Sequence, residues 1–180
     1  MNLDALAGQI VILSGSPGSG KTTTAAALAN LPGTAKVHLH TDDFWGNIKT
    51  GHIDPWLPEA DPQNRMVCQI AADVAQAYAR HGYLVVVDGV VRPWWLPAFL
   101  RLERPVHYLV LRPQQQGALA RCQARGGDSL TDPVVVADLY GQFAELGAYA
   151  GHVLDTHGLD PDATVRKITT LLEAGTYRLG

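Results

Sequence analysis

The sequence of 180 residues is long enough for one compact domain with a sizeable core, and we expect a single domain over residues 1–180. Hydrophobic residues make up 47% of the chain and charged residues 17%, a globular composition that argues against disorder. The formal net charge is −3 and no block of Lys or Arg occurs, which excludes the broad basic surface of a duplex DNA or RNA binder.

The N-terminal residues MNLDALAG contain neither the basic region nor the long apolar region of a signal peptide. No apolar run in the sequence approaches the roughly 20 residues that a membrane-spanning helix needs. Cys68 and Cys122 are far apart and form no CxxC pair, so neither a disulfide framework nor a zinc site is predicted. We therefore expect a cytoplasmic protein with two reduced, buried thiols.

Short β-branched runs alternate with longer helical stretches, which predicts an α/β fold with a parallel sheet. The predicted strands are residues 9–13, 36–39, 83–88, 106–112 and 152–155. The predicted helices are residues 21–30, 62–80, 114–124, 132–147 and 161–174, two of them with an aspartate N-cap before proline, at Asp61 and Asp160. Two irregular stretches, residues 45–60 and 91–97, are placed over the strand ends, where an open α/β sheet keeps its ligand crevice.

The segment after the first predicted strand carries the strongest signal. Gly15-Ser16-Pro17-Gly18-Ser19-Gly20-Lys21-Thr22 matches the phosphate-binding loop pattern G-x-x-x-x-G-K-[ST] in full. In such a P-loop the glycines let backbone N–H groups face phosphate oxygens, and the following helix adds the positive end of its dipole. The lysine reaches the β- and γ-phosphates, and the threonine hydroxyl binds magnesium. We predict ATP and Mg²⁺ as ligands, and include Thr23 in the nucleotide site.

Acidic residues end the second and third predicted strands. Asp42 and Asp43 suit a general base that takes a proton from an attacking hydroxyl. Asp42 is the preferred base, whereas Asp43 is expected to cap the next turn, contact the substrate or assist the metal. Asp88 follows an apolar run and is predicted to bind magnesium, directly or through water. His38 and His40 share one strand face without a third metal ligand, so we expect packing or hydrogen bonding from them.

Two arginines are candidates for a lid. Arg121 and Arg125 are four residues apart, on one face of a predicted helix, and Gly126-Gly127-Asp128 after them is typical of a hinge. Arginines on a mobile segment can close over the transferring phosphoryl group and offset its charge. We predict a lid-like segment near residues 113–132, with a solvated helix face as the alternative.

All tryptophans fall in the two irregular stretches: Trp45, Trp56, Trp94 and Trp95. Their rings could stack on a substrate or cover the core, and both interpretations stay open. Arg65 and Arg92 belong to the same region and are candidates to pair with an anionic substrate group. The predicted substrate contacts are Asp43, Trp45, Arg65 and Arg92.

With these residues in order, the chain resembles the small P-loop kinases of the nucleoside/nucleotide and shikimate kinase-like group. The motifs GSPGSGKT, TDDFW, VVVDG, RCQARGGD and HVLDTHGL carry the resemblance over nearly the whole chain. Within the group the chain is most similar to chloramphenicol phosphotransferase-like proteins and to uncharacterised bacterial ATPases of the AAA family. The resemblance implies a three-layer P-loop NTPase fold, with a five-stranded parallel sheet of order 2-3-1-4-5 and helices on both faces. It also implies Asp42 as the base, Arg121 and Arg125 as lid arginines, and an adenine site near residues 156–160.

The leading hypothesis is an ATP-dependent phosphotransferase that moves the γ-phosphoryl group to a hydroxyl of a small molecule. A nucleoside monophosphate kinase, whose acceptor is a phosphate, would depend on Arg65 and Arg92 and much less on Asp42. A non-kinase ATP-binding or ATPase switch module is the third hypothesis, although no NKxD motif occurs and the helical second domain of an AAA+ motor is missing. A nucleic-acid substrate is disfavoured because no basic groove is evident. The tryptophan-rich stretches match no substrate motif, so the acceptor and the oligomeric state are left open.

Overall fold

The computed structural model describes residues 3–125 and 132–180, with the side chain of Arg125 outside that part. Five parallel strands form one sheet: β1 (Ile10–Ser14), β2 (Lys36–His40), β3 (Leu84–Asp88), β4 (Val106–Arg112) and β5 (Val153–Asp155). Their order across the sheet is β2-β3-β1-β4-β5. The α/β class and the strand order that the resemblance implied are confirmed.

Helices cover both faces of this sheet. They are α1 (Lys21–Ala29), α2 (Thr41–Gly46), α3 (Asp61–Arg80), α4 (Pro97–Leu100), α5 (Gln115–Arg125), α6 (Pro133–Gly141) and α7 (Pro161–Glu173). Short 3-10 segments occupy Asp4–Leu6, Pro58–Ala60, Pro93–Trp95 and Gly147–His152. Within the described ranges, every helix is too short or too polar to cross a bilayer.

The core lies in two layers because the central strands are buried on both faces. On β1, Ile10 and Ile12 pack into the cluster under α3, whereas Val11 and Leu13 pack into the cluster under α1 and α7. All five residues of β1 and of β3 are buried. This two-sided burial explains why these strands are continuous apolar runs rather than alternating ones.

The helix predicted over residues 132–147 ends early, at Gly141. Beyond it, Phe143 and Leu146 turn into the core and are 3% and 4% exposed. Arg112 also donates hydrogen bonds to the carbonyls of Phe143 and Ala144. These tertiary contacts compete with further helical turns, and local helix propensity does not reveal them.

Two further boundaries differ from the prediction at aspartates. Strand β2 ends at His40 and α2 begins at once, so Asp42 and Asp43 lie within its first turn and Asp43 is not a cap. Asp61 lies in the first turn of α3, whose N-cap is Ala60. The predicted cap at Asp160 is confirmed, since its carboxylate accepts the N–H of Ala163.

Candidate active site

The P-loop, residues 15–22, joins the central strand β1 to α1 at the edge of the sheet where the strands end. Gly15, Gly18 and Gly20 have backbone φ angles of 140°, 73° and 89°, which residues with a side chain rarely adopt. Lys21 lies in the first turn of α1, and its Nζ donates to the Ser16 carbonyl at 3.3 Å. The curled backbone and the helix start therefore stand in the arrangement that a phosphate needs.

A cleft of about 900 Å³ runs along this edge of the sheet. From the P-loop side it is lined by Pro17, Gly18, Lys21, Thr22 and Thr23. Ser16 and Ser19 are buried members of the loop, and the Ser19 hydroxyl has no hydrogen-bond partner among the described residues. The volume is at the upper end of the usual range for small-molecule sites and suits a nucleotide together with a second ligand.

Asp88, at the end of β3, is fully buried and is the centre of a hydrogen-bond network. Thr22 Oγ1 donates to its Oδ2 at 2.6 Å. His38 Nε2 lies 2.6 Å from Oδ1, and His40 Nδ1 lies 3.1 Å from both oxygens. Burial alone would raise the pKa of Asp88, but the hydrogen bonds from His40, Thr22 and His38 outweigh it and leave the pKa below its usual value. The carboxylate is therefore ionised at neutral pH.

His40 connects this network to Asp42. Its hydrogen bond to Asp88 raises the pKa of His40, against the opposing effect of partial burial. On the other side of the ring, Nε2 lies 3.5 Å from Asp42 Oδ2. Both His38 and His40 form hydrogen bonds, as predicted, but the sequence did not reveal the partner. The available signal for this contact was the alternation of the two histidines along β2. Strand β2 pairs with β3, and the pairing register places His40 beside Asp88.

Thr22 and Asp88 present oxygen atoms next to the phosphate loop, and such donors suit Mg²⁺. In the described part of the chain there is no cluster of three or more His, Cys, Asp or Glu side chains for a metal ion. A magnesium ion that enters with its nucleotide needs no such cluster, because phosphates and waters supply the remaining ligands. The donor set fits this kind of magnesium site.

Asp42 faces the cleft from the first turn of α2, and its side chain is 64% exposed. Asp43 is exposed on the same turn and is not among the residues that line the cleft. The two acids that sequence reasoning treated as a pair therefore stand in different places. Of these two acids, Asp42 alone lines the cavity that contains Lys21 and Thr22.

Helix α5 packs directly against the P-loop. Arg121 Nε donates to the Gly18 carbonyl at 2.7 Å. A Cβ atom at Gly18 would overlap the Ala118 carbonyl and lie 2.9 Å from Cys122 Sγ. The side chain of Arg125 and the predicted hinge, residues 126–128, lie outside the described residues.

Trp45, Trp56 and Trp95 line the same cleft as the P-loop residues, and we call them the tryptophan wall. The indole Nε1 of Trp45 donates to Asn64 Oδ1 at 2.8 Å, which orients the ring. Arg92 lines the same part of the cleft, with its guanidinium carbon 4.4 Å from the centre of the Trp95 ring. Arg65 is elsewhere, because it pairs with Asp61 on an exposed face of α3 at 2.7 Å.

The sequence matches the family model described as AAA domain over residues 10–144. Comparison with curated protein sequences finds no match. A sugar kinase from Janibacter sp. is similar in structure, with a TM-score of 0.73, 20% identity, and coverage of 92% of this chain and 94% of that chain. Shikimate kinase from Acinetobacter baumannii, in complex with shikimate, has a TM-score of 0.64, 22% identity and 96% coverage of both chains. Thymidylate kinase from Candida albicans has a TM-score of 0.62, 15% identity, and coverage of 97% of this chain and 96% of that chain. These likenesses show a P-loop kinase-like fold.

Proposed function

Because the chain belongs to the AAA domain family and has a P-loop kinase-like fold, we propose that it is an ATP-dependent kinase that transfers the γ-phosphoryl group to a hydroxyl of a small molecule. One observation carries the proposal: a single cleft holds Lys21 and Thr22 of the P-loop on one side and the carboxylate of Asp42 on another. A phosphoryl donor and a hydroxyl acceptor could therefore meet between them.

In this proposal the P-loop binds the nucleotide. Backbone N–H groups of residues 15–20 and the amino end of α1 would hold the β- and γ-phosphates of ATP, with Lys21 and Thr23 beside them. Thr22 and Asp88 would hold Mg²⁺, which supplies positive charge to the phosphate oxygens when bound. Arg121 is already hydrogen-bonded to the loop at Gly18 and would offset charge on the transferring group.

At the acceptor end, Asp42 is the proposed general base. It would accept the proton of the acceptor hydroxyl while the hydroxyl oxygen forms its bond to the γ-phosphorus and the bond to the ADP oxygen breaks. Its exposure keeps it reachable for the acceptor, and the contact with His40 holds it near Asp88. We also propose that the chain works as one domain, with a lid-like segment near residues 113–132 that includes Arg125.

A nucleoside monophosphate kinase is the second candidate, favoured by the guanidinium of Arg92 inside the cleft. In that reaction the acceptor is a phosphate oxygen, which is already ionised and needs no base. Arg92 would then be indispensable to turnover and Asp42 would not. The two candidates therefore differ in their response to the loss of one carboxylate.

The test measures ADP release from MgATP with pools of hydroxyl-bearing metabolites, nucleosides and nucleoside monophosphates. Asp42→Asn should lower acceptor-dependent release by about 100-fold or more, the range expected for the loss of a general base. Asp43→Asn, one residue away but outside the cleft lining, is the matched control and should retain most of the activity. Full activity in Asp42→Asn would shift support to the phosphate acceptor, and the absence of stimulation by every pool would contradict both candidates.

A further inference from the structure

Arg92 is a buried cation without a counterion among the residues that the structure describes. Only 7% of the residue is exposed, and its buried Nε has no hydrogen-bond partner within residues 3–125 and 132–180. None of the ion pairs or hydrogen bonds among the described residues involves its guanidinium. Three exposed arginines differ in this respect, since Arg65, Arg80 and Arg101 each pair with a carboxylate on the surface.

The surroundings stabilise this cation only in part. The guanidinium lies over the Trp95 ring at 4.4 Å and near the Trp94 ring at 5.6 Å, positions in which the ring faces attract a positive charge. Stacking leaves the N–H donors at the rim of the guanidinium plane without acceptors. Burial also lowers the pKa of Arg92, which reflects the free-energy cost of a charge without a close partner.

The carboxylates of Asp138 and Asp61 act on Arg92 through space, without a direct ion pair or hydrogen bond, and each accepts a hydrogen bond from another residue. Asp61 accepts from Arg65 Nε at 2.7 Å and lies 3.5 Å from Trp95 Nε1. Asp138, on α6, accepts from Gln142 Nε2 at 2.8 Å. The described part of the chain thus supplies no anion to Arg92, although it holds the side chain in the cleft.

The backbone that carries Arg92 is fixed by buried hydrogen bonds. The carbonyl of Val91 accepts from Ser14 Oγ at 2.7 Å and from Tyr108 Oη at 2.9 Å. Ser14 and Tyr108 belong to β1 and β4, the centre of the sheet, and both are fully buried. Because this backbone is held by buried hydrogen bonds, the guanidinium is preorganised for a ligand and loses little conformational entropy on binding.

We infer that the acceptor carries, besides the reacting hydroxyl, a carboxylate or phosphate group that binds the Arg92 guanidinium, and an apolar or ring skeleton that packs on the tryptophan wall. This inference rests on the proposed kinase function and specifies its substrate class. A planar guanidinium binds both kinds of oxyanion through paired N–H···O bonds, so their shared chemistry is what the pocket selects.

The test uses intrinsic fluorescence, because all four tryptophans of the chain lie in the two segments that build or flank this pocket. The protein is first saturated with a non-hydrolysable MgATP analogue, so that anions do not bind at the P-loop. It is then titrated with inorganic phosphate, 3-(hydroxymethyl)benzoate, 3-hydroxybenzyl phosphate and the uncharged 3-(hydroxymethyl)benzamide. The two aromatic anions compare carboxylate with phosphate, the amide reports the ring alone, and inorganic phosphate reports the anion alone.

We expect the aromatic anions to bind about tenfold or more tightly than the amide, as a charge-assisted pair requires. Arg92→Gln should abolish that preference and the response to inorganic phosphate. Arg101→Gln, which removes a surface arginine paired with Asp73, should leave both unchanged. Equal binding of anion and amide, an anion preference that survives Arg92→Gln, or no response to any anion up to about 20 mM would overturn the inference.

A purely structural role for Arg92 makes a different prediction. If the guanidinium served only to fill space beside Trp95, Arg92→Met would lower Tm, because a stacking contact would be lost. If it waits for a ligand anion, removing the unpaired charge while keeping the aliphatic length should leave Tm of the free protein unchanged or raise it. A clear fall in Tm would count against the inference.

The outcome is separable from that of the kinase test. Anion binding that depends on Arg92, without ADP release in any pool, would establish the pocket and contradict the kinase function. Phosphorylation of an uncharged acceptor at equal rates by the native protein and Arg92→Gln would support the kinase function and overturn the inference.

Discussion

At Gly18 the P-loop lies directly against α5. The motif alone explains its glycine by the backbone, and the observed φ of 73° agrees with that. The structure adds a second constraint, since no Cβ fits between Gly18 and the carbonyl of Ala118. Gly20 provides the contrast, because its φ is 89° but a Cβ there would meet no atom within 4 Å.

Gly18→Ala should therefore be more destabilising than Gly20→Ala. Both substitutions place a side chain at positive φ, at a cost of about 1–3 kcal/mol each. Gly18→Ala adds steric overlap with α5, for which about 1–3 kcal/mol more is expected. Urea unfolding of both variants without nucleotide measures the difference in the free energy of unfolding. Equal values would show that α5 does not rest on the loop.

At the level of elements, α7 shows how a local signal starts a helix and tertiary packing keeps it. Asp160 accepts the N–H of Ala163 as the N-cap, and Pro161 occupies the first helical position. Ile168 and Leu172 bury the inner face of the helix at 0% and 2% exposure. The Asp160 cap is a short-range interaction and can be recognised in the sequence. The burial of Ile168 and Leu172 instead depends on the sheet that the helix packs against.

Asp160→Ala should lower the free energy of unfolding by about 1 kcal/mol, the usual value of an N-cap. For a chain of this size that corresponds to a fall in Tm of about 2–4 °C in a thermal melt. The matched control is Asp162→Ala, which removes an exposed acid from the same first turn without removing a cap. A loss in Asp162→Ala as large as in Asp160→Ala would indicate that charge near the helix end, rather than the cap, is responsible.

For the whole molecule, the sheet order brings distant segments to one edge. Strand β1 lies at the centre with β3 beside it and β2 beyond, so the P-loop, Asp88 and the start of α2 meet there.

His107 lies near the start of β4, away from this site. Its Nε2 contacts Gln9 Oε1 at 2.8 Å, while its Nδ1 has no partner among the described residues. Burial, helped by the charge of Arg178, lowers the pKa of His107 to about 4.

This buried histidine should make global stability sensitive to acid. In the unfolded chain the pKa of this histidine is about 6.5. Below that pH the unfolded state therefore binds a proton that the folded state does not bind until the pH falls further. The contribution to stability is complete above pH 6.5 and is lost as the pH falls toward 4, by about 2–3 kcal/mol at pH 4.5.

Urea unfolding at pH 7 and pH 4.5 measures this loss. His107→Gln should show a smaller loss of stability between the two pH values than the native protein, because the titrating group is gone. His81→Gln, at an exposed site, should behave like the native protein. The same pH dependence in all three proteins would contradict a depressed pKa at His107.

The sequence by itself determined those features that are local or periodic. The P-loop is one contiguous run whose glycines and lysine need no distant partner to be recognised, and the apolar runs of β1 and β3 predict a sheet covered on both faces. The strand order came from the resemblance of the whole motif series, since spacing alone does not specify which strands are neighbours. Boundaries were less accurate where packing overrode propensity, as at Gly141.

Only the tertiary structure decided which of several similar residues share a site. Asp42 and Asp43 are adjacent in the chain, yet one lines the cleft and the other does not, because consecutive side chains of a helix point about 100° apart. Arg65 and Arg92 were equal candidates, but Arg65 is paired on the surface, whereas Arg92 is buried without an anion from the described part of the chain. Burial and pairing are set by residues far apart in sequence, and a single sequence contains no local signal for them.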